Sequence, residues 1–196
     1  MGPLRPFLRG DSVKFQGIVL AGGKSSRFGE DKALACVDGL TMIERTVNLL
    51  YSLGLDPVVI TNETRDYSFL KCRIERDLIS DGGPLGGVYT ACCLFEHSSL
   101  VVLTCDMPNL TPGSLKMLLY HHDKAYKATL FEVQRNCFQP FPGVYEPSLI
   151  DPIKKVLEAG DLSMQDFLRQ LAEINLIPFK GLQKAFLNVN FRLQIE

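Results

Sequence analysis

The feature that most constrains this chain is a short apolar run ending in a cluster of glycines and cations. FQGIVLA, Phe15 to Ala21, is followed at once by GGKSSRFGEDKA, which carries Gly22, Gly23 and Gly29 with Lys24, Arg27 and Lys32. A mostly apolar strand without alternating polar residues must be covered on both faces, as a central strand of a parallel α/β sheet is. Glycines let backbone N–H groups come close to an anion, and three cations on the same loop bring the charge to hold a phosphate chain. The loop is neither common nucleotide loop: Ile18 stands where a Walker glycine is needed, and no G-x-G-x-x-G occurs in the segment.

Apolar runs and longer amphipathic stretches then alternate, which is the α/β pattern. Strands are expected at Pro57 to Asn62, Cys72 to Asp77 and Ser99 to Asp106, and TMIERTVNLLYSLG reads as a helix whose Thr41 and Glu44 form a capping box. DGGPLGGVYTACCLFEH reads as a glycine-rich loop feeding a helix, and Pro112 after Thr111 suits the first turn of another. Further on, KATLFEVQ and NCFQPFPGVY look like strands, PSLIDPIKKVLEAG and SMQDFLRQLAEI like helices, and the chain closes with INLIPF and KAFLNVNF. The expected architecture is α/β: a mainly parallel sheet of about seven strands with helices on both faces and ligands at the carboxyl ends of the strands. Residues 1–14 read as an irregular arm and 15–196 as a single domain.

Net charge narrows the partners. With 21 Lys and Arg against 22 Asp and Glu, the chain lacks the basic excess that nucleic-acid binding normally needs, so phosphate chemistry must be local. No apolar run is long enough to span a membrane, and Met1 to Lys14 lacks the apolar core of a signal peptide, so a cytoplasmic location is expected. The six cysteines show no C-x-x-C and no zinc spacing, and are expected to be free, mostly buried thiols.

Two acids stand out. Asp106 ends the run LVVLTC and precedes Met107 and Pro108, so its carboxylate should emerge at the carboxyl edge of the sheet, where one acid beside a triphosphate suffices to anchor Mg²⁺. Asp77 precedes ISDGGPLGG; it could accept from the N–H donors of guanine or from ribose hydroxyls, or could simply form a turn. His97, His121 and His122 follow helix ends and read as caps. No nucleophile elbow is present, so covalent catalysis has no support in the sequence.

LAGGKSSRFGEDK, SDGGPLGGV, VVLTCDMP and AFLNVN resemble, in this order, the molybdenum cofactor guanylyltransferases, and the resemblance runs from about Gln16 to Asn190. It implies a Rossmann-like three-layer nucleotidyltransferase sandwich that joins GMP from GTP to molybdopterin with loss of pyrophosphate. It further implies a GTP-binding half at 15–122 and an acceptor half at 123–196, with Mg²⁺ as cofactor and other molybdenum-cofactor proteins as partners. By the same resemblance, the nucleotide site maps onto Leu20, Ala21, Gly22, Gly23, Lys24, Lys32, Asn62, Asp77, Gly83 and Asp106, with Arg27, Lys32 and Asp106 tied to catalysis. Gln139, Pro140, Asn188 and Asn190 map to the acceptor side. Ser163 replaces a basic residue often found there, and the usual Thr-Pro-Glu after NVN is absent. The rival readings are a nucleotidyltransferase using CTP or another phosphorylated acceptor, a GTP-binding module without turnover, and a glycosyltransferase, which normally wants paired acids at its metal.

Overall fold

The computed structural model describes residues 13–22, 32–62, 66–135 and 137–179. In chain order the strands are β1 (Phe15–Ala21), β2 (Cys36–Val37), β3 (Leu40–Thr41), β4 (Pro57–Thr61), β5 (Arg73–Arg76), β6 (Ser99–Thr104), β7 (Ala128–Gln134), β8 (Cys137–Tyr145) and β9 (Ile174–Pro178). The helices are α1 (Met42–Tyr51), α2 (Gly83–Leu94), α3 (Pro112–Tyr120), α4 (Ile150–Glu158) and α5 (Met164–Gln170). The arm up to residue 12 and the expected segment KAFLNVNF lie outside the described residues.

Seven strands form one sheet in the order β5-β4-β1-β6-β8-β7-β9, and β2 pairs with β3 in a separate small hairpin. Within the large sheet β8 runs antiparallel to both neighbours and every other pairing is parallel, so the expected mainly parallel, seven-stranded α/β sheet is borne out. The chain leaves β1 toward β4 and β5, then returns to β6 on the other side, and that reversal opens a crevice at the carboxyl end of β1.

Helices cover both faces, and two glycines make the contacts close. A Cβ on Gly17 would meet Leu50 of α1 at 3.2 Å, and a Cβ on Gly87 of α2 would meet Leu20 at 2.8 Å. Gly17 and Leu20 are three apart on one strand and therefore point to opposite faces, so α1 and α2 sandwich β1. Ile18, Val19, Val59, Val101 and Val102 are fully buried between them. The capping box at the start of α1 is present: Glu44 N–H donates to Thr41 Oγ1 at 3.3 Å, and Thr41 N–H donates to Glu44 Oε2 at 2.9 Å.

At the amino edge of the sheet the structure corrects two readings. His121 does cap α3, but the His122 ring is fully buried rather than at a solvated helix end. Its Nε2 lies 2.9 Å from Glu146 Oε1 and 3.3 Å from Ser99 Oγ, its Nδ1 lies 3.0 Å from Thr129 Oγ1, and its ring meets Phe15 edge-on. The cysteines are all free, but just Cys92 and Cys105 are buried; Cys36 on β2 and Cys137 at the start of β8 are exposed. Burial pushes the Cys92 thiol far up, so alkylation of the native protein should label Cys36 and Cys137 well before Cys92, as peptide mapping would read.

Burial pushes the Glu146 carboxyl up, but hydrogen bonds with His122 and Ser99 outweigh it and hold the carboxyl below its ordinary value. A folded-state value below the unfolded one stabilises the fold above about pH 4.5, and that contribution is lost as pH falls through the depressed folded value. Glu146→Gln should therefore lower unfolding free energy at pH 7 by about 1–2 kcal/mol. The gap to the parent should close below about pH 4, in urea titrations across pH.

Candidate functional site

Four strands end level with one another. Ala21 of β1 pairs with Thr61 of β4, Thr61 with Arg76 of β5, and Leu20 with Thr104 of β6. Extra hydrogen bonds clasp the row: Thr61 Oγ1 donates to Ala21 O at 2.8 Å, Asp77 N–H to Thr61 O at 2.9 Å, and Cys105 Sγ to Leu20 O at 3.7 Å. Gly22, Asn62, Asp77 and Asp106 thus all leave the sheet at the same edge. That edge is where the cationic loop begins, since Gly22 is the residue after β1.

Glycine sets how closely these segments approach. A Cβ on Gly22 would stand 2.5 Å from Asn62 Oδ1, so any larger residue there would displace the amide. A Cβ on Gly82 would meet Ile79 Cγ2 at 2.8 Å and the Gly86 Cα at 2.9 Å, and Gly83 has φ +60°, a conformation that glycine adopts freely. The glycines of SDGGPLGG therefore fold a tight turn and bring the first turn of α2 down onto the end of β1. No side-chain hydrogen bond caps the start of α2, Pro84 brings no N–H to its first turn, and Gly86 N–H donates to Gly82 O at 3.0 Å, so the amides of Gly83 and Leu85 have no acceptor among the described residues.

Each acid is held by a threonine. Thr104 Oγ1 donates to Asp106 Oδ1 at 2.6 Å, leaving Oδ2 without a partner among the described residues. Asp77 Oδ1 accepts from Ile79 N–H at 3.1 Å, the turn-forming role weighed for it, and also from Thr90 Oγ1 at 2.7 Å. Neither threonine stands out in the sequence, because a Ser or Thr within a strand or helix carries no motif of its own.

The antiparallel course of β8 brings its first residues to this same edge. Val102 pairs with Gly143, and the residues of β8 before it, Gln139 and Pro140, lie toward this edge, with a bulge that sets Gln139 opposite Phe131 of β7. The Tyr145 hydroxyl donates to the Pro140 carbonyl, and Gln165 Nε2 of α5 donates to Phe138 O at 3.4 Å, which ties α5 to this end of β8. Four strand spacings separate β5 from β8, a lateral span of about 19 Å. Ser163, which replaces the basic residue often found in the family resembled, spends its hydroxyl as the N-cap of α5, accepting from Asp166 N–H at 3.2 Å.

Of the residues singled out in the sequence, Leu20, Ala21, Gly22, Asn62, Asp77, Gly83, Asp106, Gln139 and Pro140 share this edge. Lys32 begins a short 3₁₀ turn, Lys32–Leu34, that leads into the β2–β3 hairpin and α1. Gly23, Lys24, Arg27, Asn188 and Asn190 lie outside the described residues. Among the described residues no group of three or more His, Cys, Asp or Glu gathers as a metal cage, and no helix is long and apolar enough to cross a membrane.

Residues 17–174 match the family model described as MobA-like NTP transferase domain. A relative from Pelotomaculum thermopropionicum named "probable molybdenum cofactor guanylyltransferase" is 30% identical over 179 residues, covering 89% of this chain and 86% of that protein. A relative of the same name from Bacillus cytotoxicus is 32% identical over 157 residues, or 78% of each chain. Among solved structures, molybdopterin-guanine dinucleotide biosynthesis protein A from Archaeoglobus fulgidus superposes with a TM-score of 0.77 at 23% identity, covering 92% of this chain and 94% of that one. The fold also matches 2-C-methyl-D-erythritol 4-phosphate cytidylyltransferase from Thermus thermophilus, with a TM-score of 0.70 at 12% identity, covering 93% and 96%.

The close contacts under α2 rank two substitutions. Gly82→Ala drives a Cβ against backbone that cannot yield, whereas Gly87→Ala meets the free end of Leu20. Urea denaturation should give a loss of about 2–3 kcal/mol for Gly82→Ala and about 1 kcal/mol for Gly87→Ala. The reverse order would mean that the turn is not the rigid element.

Proposed function

The chain belongs to the MobA-like NTP transferase domain family, and from that premise we propose that it transfers GMP from GTP to molybdopterin, releasing pyrophosphate, in the cytoplasm. The supporting observation is that the strand from which the glycine-rich cationic loop springs is the hydrogen-bonded neighbour of the strand that leads to Asp106. A phosphate chain held by one would lie within reach of the other.

In this reading the phosphate of molybdopterin attacks the α-phosphorus of GTP, and the bond to the pyrophosphate oxygen breaks. The acceptor phosphate is already ionised at neutral pH, so the protein's work is to position the reactants and neutralise charge. Lys24, Arg27, Lys32 and the amides of Gly22 and Gly23 carry the charge that builds on the leaving pyrophosphate. Leu20, Ala21, Asn62, Asp77 and Gly83 surround the nucleoside, and Gln139, Pro140, Asn188 and Asn190 face the pterin.

The donor chemistry at Asp106 fits Mg²⁺: a hard carboxylate oxygen, Oδ2, is left for a cation while Thr104 holds Oδ1. Magnesium commonly takes one or two carboxylates and completes its shell with phosphate oxygens and water. Asp106 would hold the ion, which when bound supplies charge neutralisation along the triphosphate.

Pyrophosphate release measured with GTP, CTP and ATP, each with and without molybdopterin, tests the reading. Release that requires GTP and molybdopterin together is expected. Release with CTP in place of GTP, or none with any pair, would overturn it. Asp106→Asn and Lys32→Ala should each lower turnover by about 10²- to 10³-fold while leaving the melting temperature near that of the parent.

A further inference from the structure

Asp77 is held more firmly than a turn requires. Its Oδ1 accepts from Thr90 Oγ1 at 2.7 Å and from Ile79 N–H at 3.1 Å, and Thr90 Oγ1 in turn accepts from Leu78 N–H at 3.0 Å. Thr90 sits on α2 and is fully buried, so its one hydroxyl proton is committed to Asp77. A carboxylate oxygen has about two lone-pair directions, and on Oδ1 both are used. Oδ2 has no hydrogen bond among the described residues. It lies beside the bare backbone of α2, where a Cβ on Gly86 would come no closer than 3.6 Å. The sequence gap of thirteen residues between Asp77 and Thr90 is bridged by the turn that Gly82, Gly83 and Gly86 make possible.

Resting on the nucleotidyl-transfer reading of this edge, we propose that Thr90 is a positioning residue. From inside α2 it consumes one oxygen of Asp77 and aims the other, Oδ2, at the crevice to accept a hydrogen bond from the nucleoside of the bound triphosphate. Asp77 then reads its ligand through one oxygen rather than through a two-oxygen clamp. Without the Thr90 hydroxyl the carboxylate is free to rotate, and Oδ2 loses its fixed direction.

The test is a double-mutant cycle on the full chain, with Mg-GTP affinity measured by calorimetry at a temperature where each variant is folded by circular dichroism. Thr90→Val and Asp77→Asn should each weaken Mg-GTP about five- to tenfold, and the double variant should bind no more weakly than Asp77→Asn. Thr90→Ser should bind as the parent does, and the maximal rate of Thr90→Val at saturating GTP should stay within about twofold. Thr90→Ala serves as a second hydroxyl-free variant should valine fail to fold. A residue that merely supports the helix would lower the melting temperature and leave the affinity of the folded molecules unchanged. If Asp77→Asn weakens GTP but the folded hydroxyl-free variants bind normally, or if the two effects add, Thr90 does not act through Asp77. If Asp77→Asn itself binds GTP normally, the assignment of Asp77 to the nucleoside fails, and with it the premise of this proposal.

Discussion

The site depends on strands of different lengths finishing in one row. Parallel strands have no mutual turn to fix where they stop, so their ends must be set by what each chain does next. Here β1 gives way to glycine, β4 to Asn62, β5 to a glycine-rich turn and β6 to an acid followed by Met107 and Pro108. Side chains then lock the level: Thr61 reaches from β4 to the last carbonyl of β1, and Cys105 reaches from beyond β6 to the carbonyl before it. Without those clasps the glycine-rich loop and Asp106 would start from uncorrelated heights, and neighbouring strands would not amount to a common site.

A second layer of the same logic sits behind the acids. An exposed carboxylate can rotate, and a group that must meet a ligand at a fixed angle loses affinity to that freedom. Thr104 and Thr90 each take one oxygen, so Asp106 and Asp77 both enter the crevice with a direction already chosen. The glycines of the α2 turn serve this arrangement too, because the helix that carries Thr90 reaches Asp77 through its close seat against β1.

Much of this was legible in the residues. The unbroken apolar run of β1, the capping box of α1 and the acid at the end of β6 are local signals, and the structure realises each within a residue or two. What could not be read was pairing at a distance. Nothing in Thr90 announces a partner thirteen residues earlier, and nothing in Gln139 says that β8 runs antiparallel between β6 and β7, which is what turns its first residues toward the carboxyl edge. His122 resembled a helix cap because its partners Ser99, Thr129 and Glu146 come from three separate segments. One local signal was passed over: Asp38 and Gly39, both at positive φ, form the tight turn of the β2–β3 hairpin, and Asp-Gly is a strong hairpin cue. That hairpin receives the chain as it returns from the cationic loop and delivers it to Thr41 and α1.

The two edges of the sheet handle polarity in opposite ways, and the contrast explains why the carboxyl edge is the functional one. At the amino edge a buried imidazole and a carboxylate answer each other, with two hydroxyls completing the set, so the polar groups there are internally satisfied. A cleft of about 640 Å³ near that edge has the same character: Gln16 donates to the Asp56 carbonyl, Tyr51 to the Lys71 carbonyl, and Arg73 lies over the Phe95 ring. At the carboxyl edge, Asp77 and Asp106 each keep an oxygen without a hydrogen bond among the described residues, and no side-chain hydrogen bond caps the start of α2. Polar groups that a fold orients but leaves unanswered hold their hydrogen-bonding capacity for something that arrives from outside. In this chain those groups stand where the cationic loop begins, so charge, direction and unspent hydrogen bonds coincide along one row of strand ends.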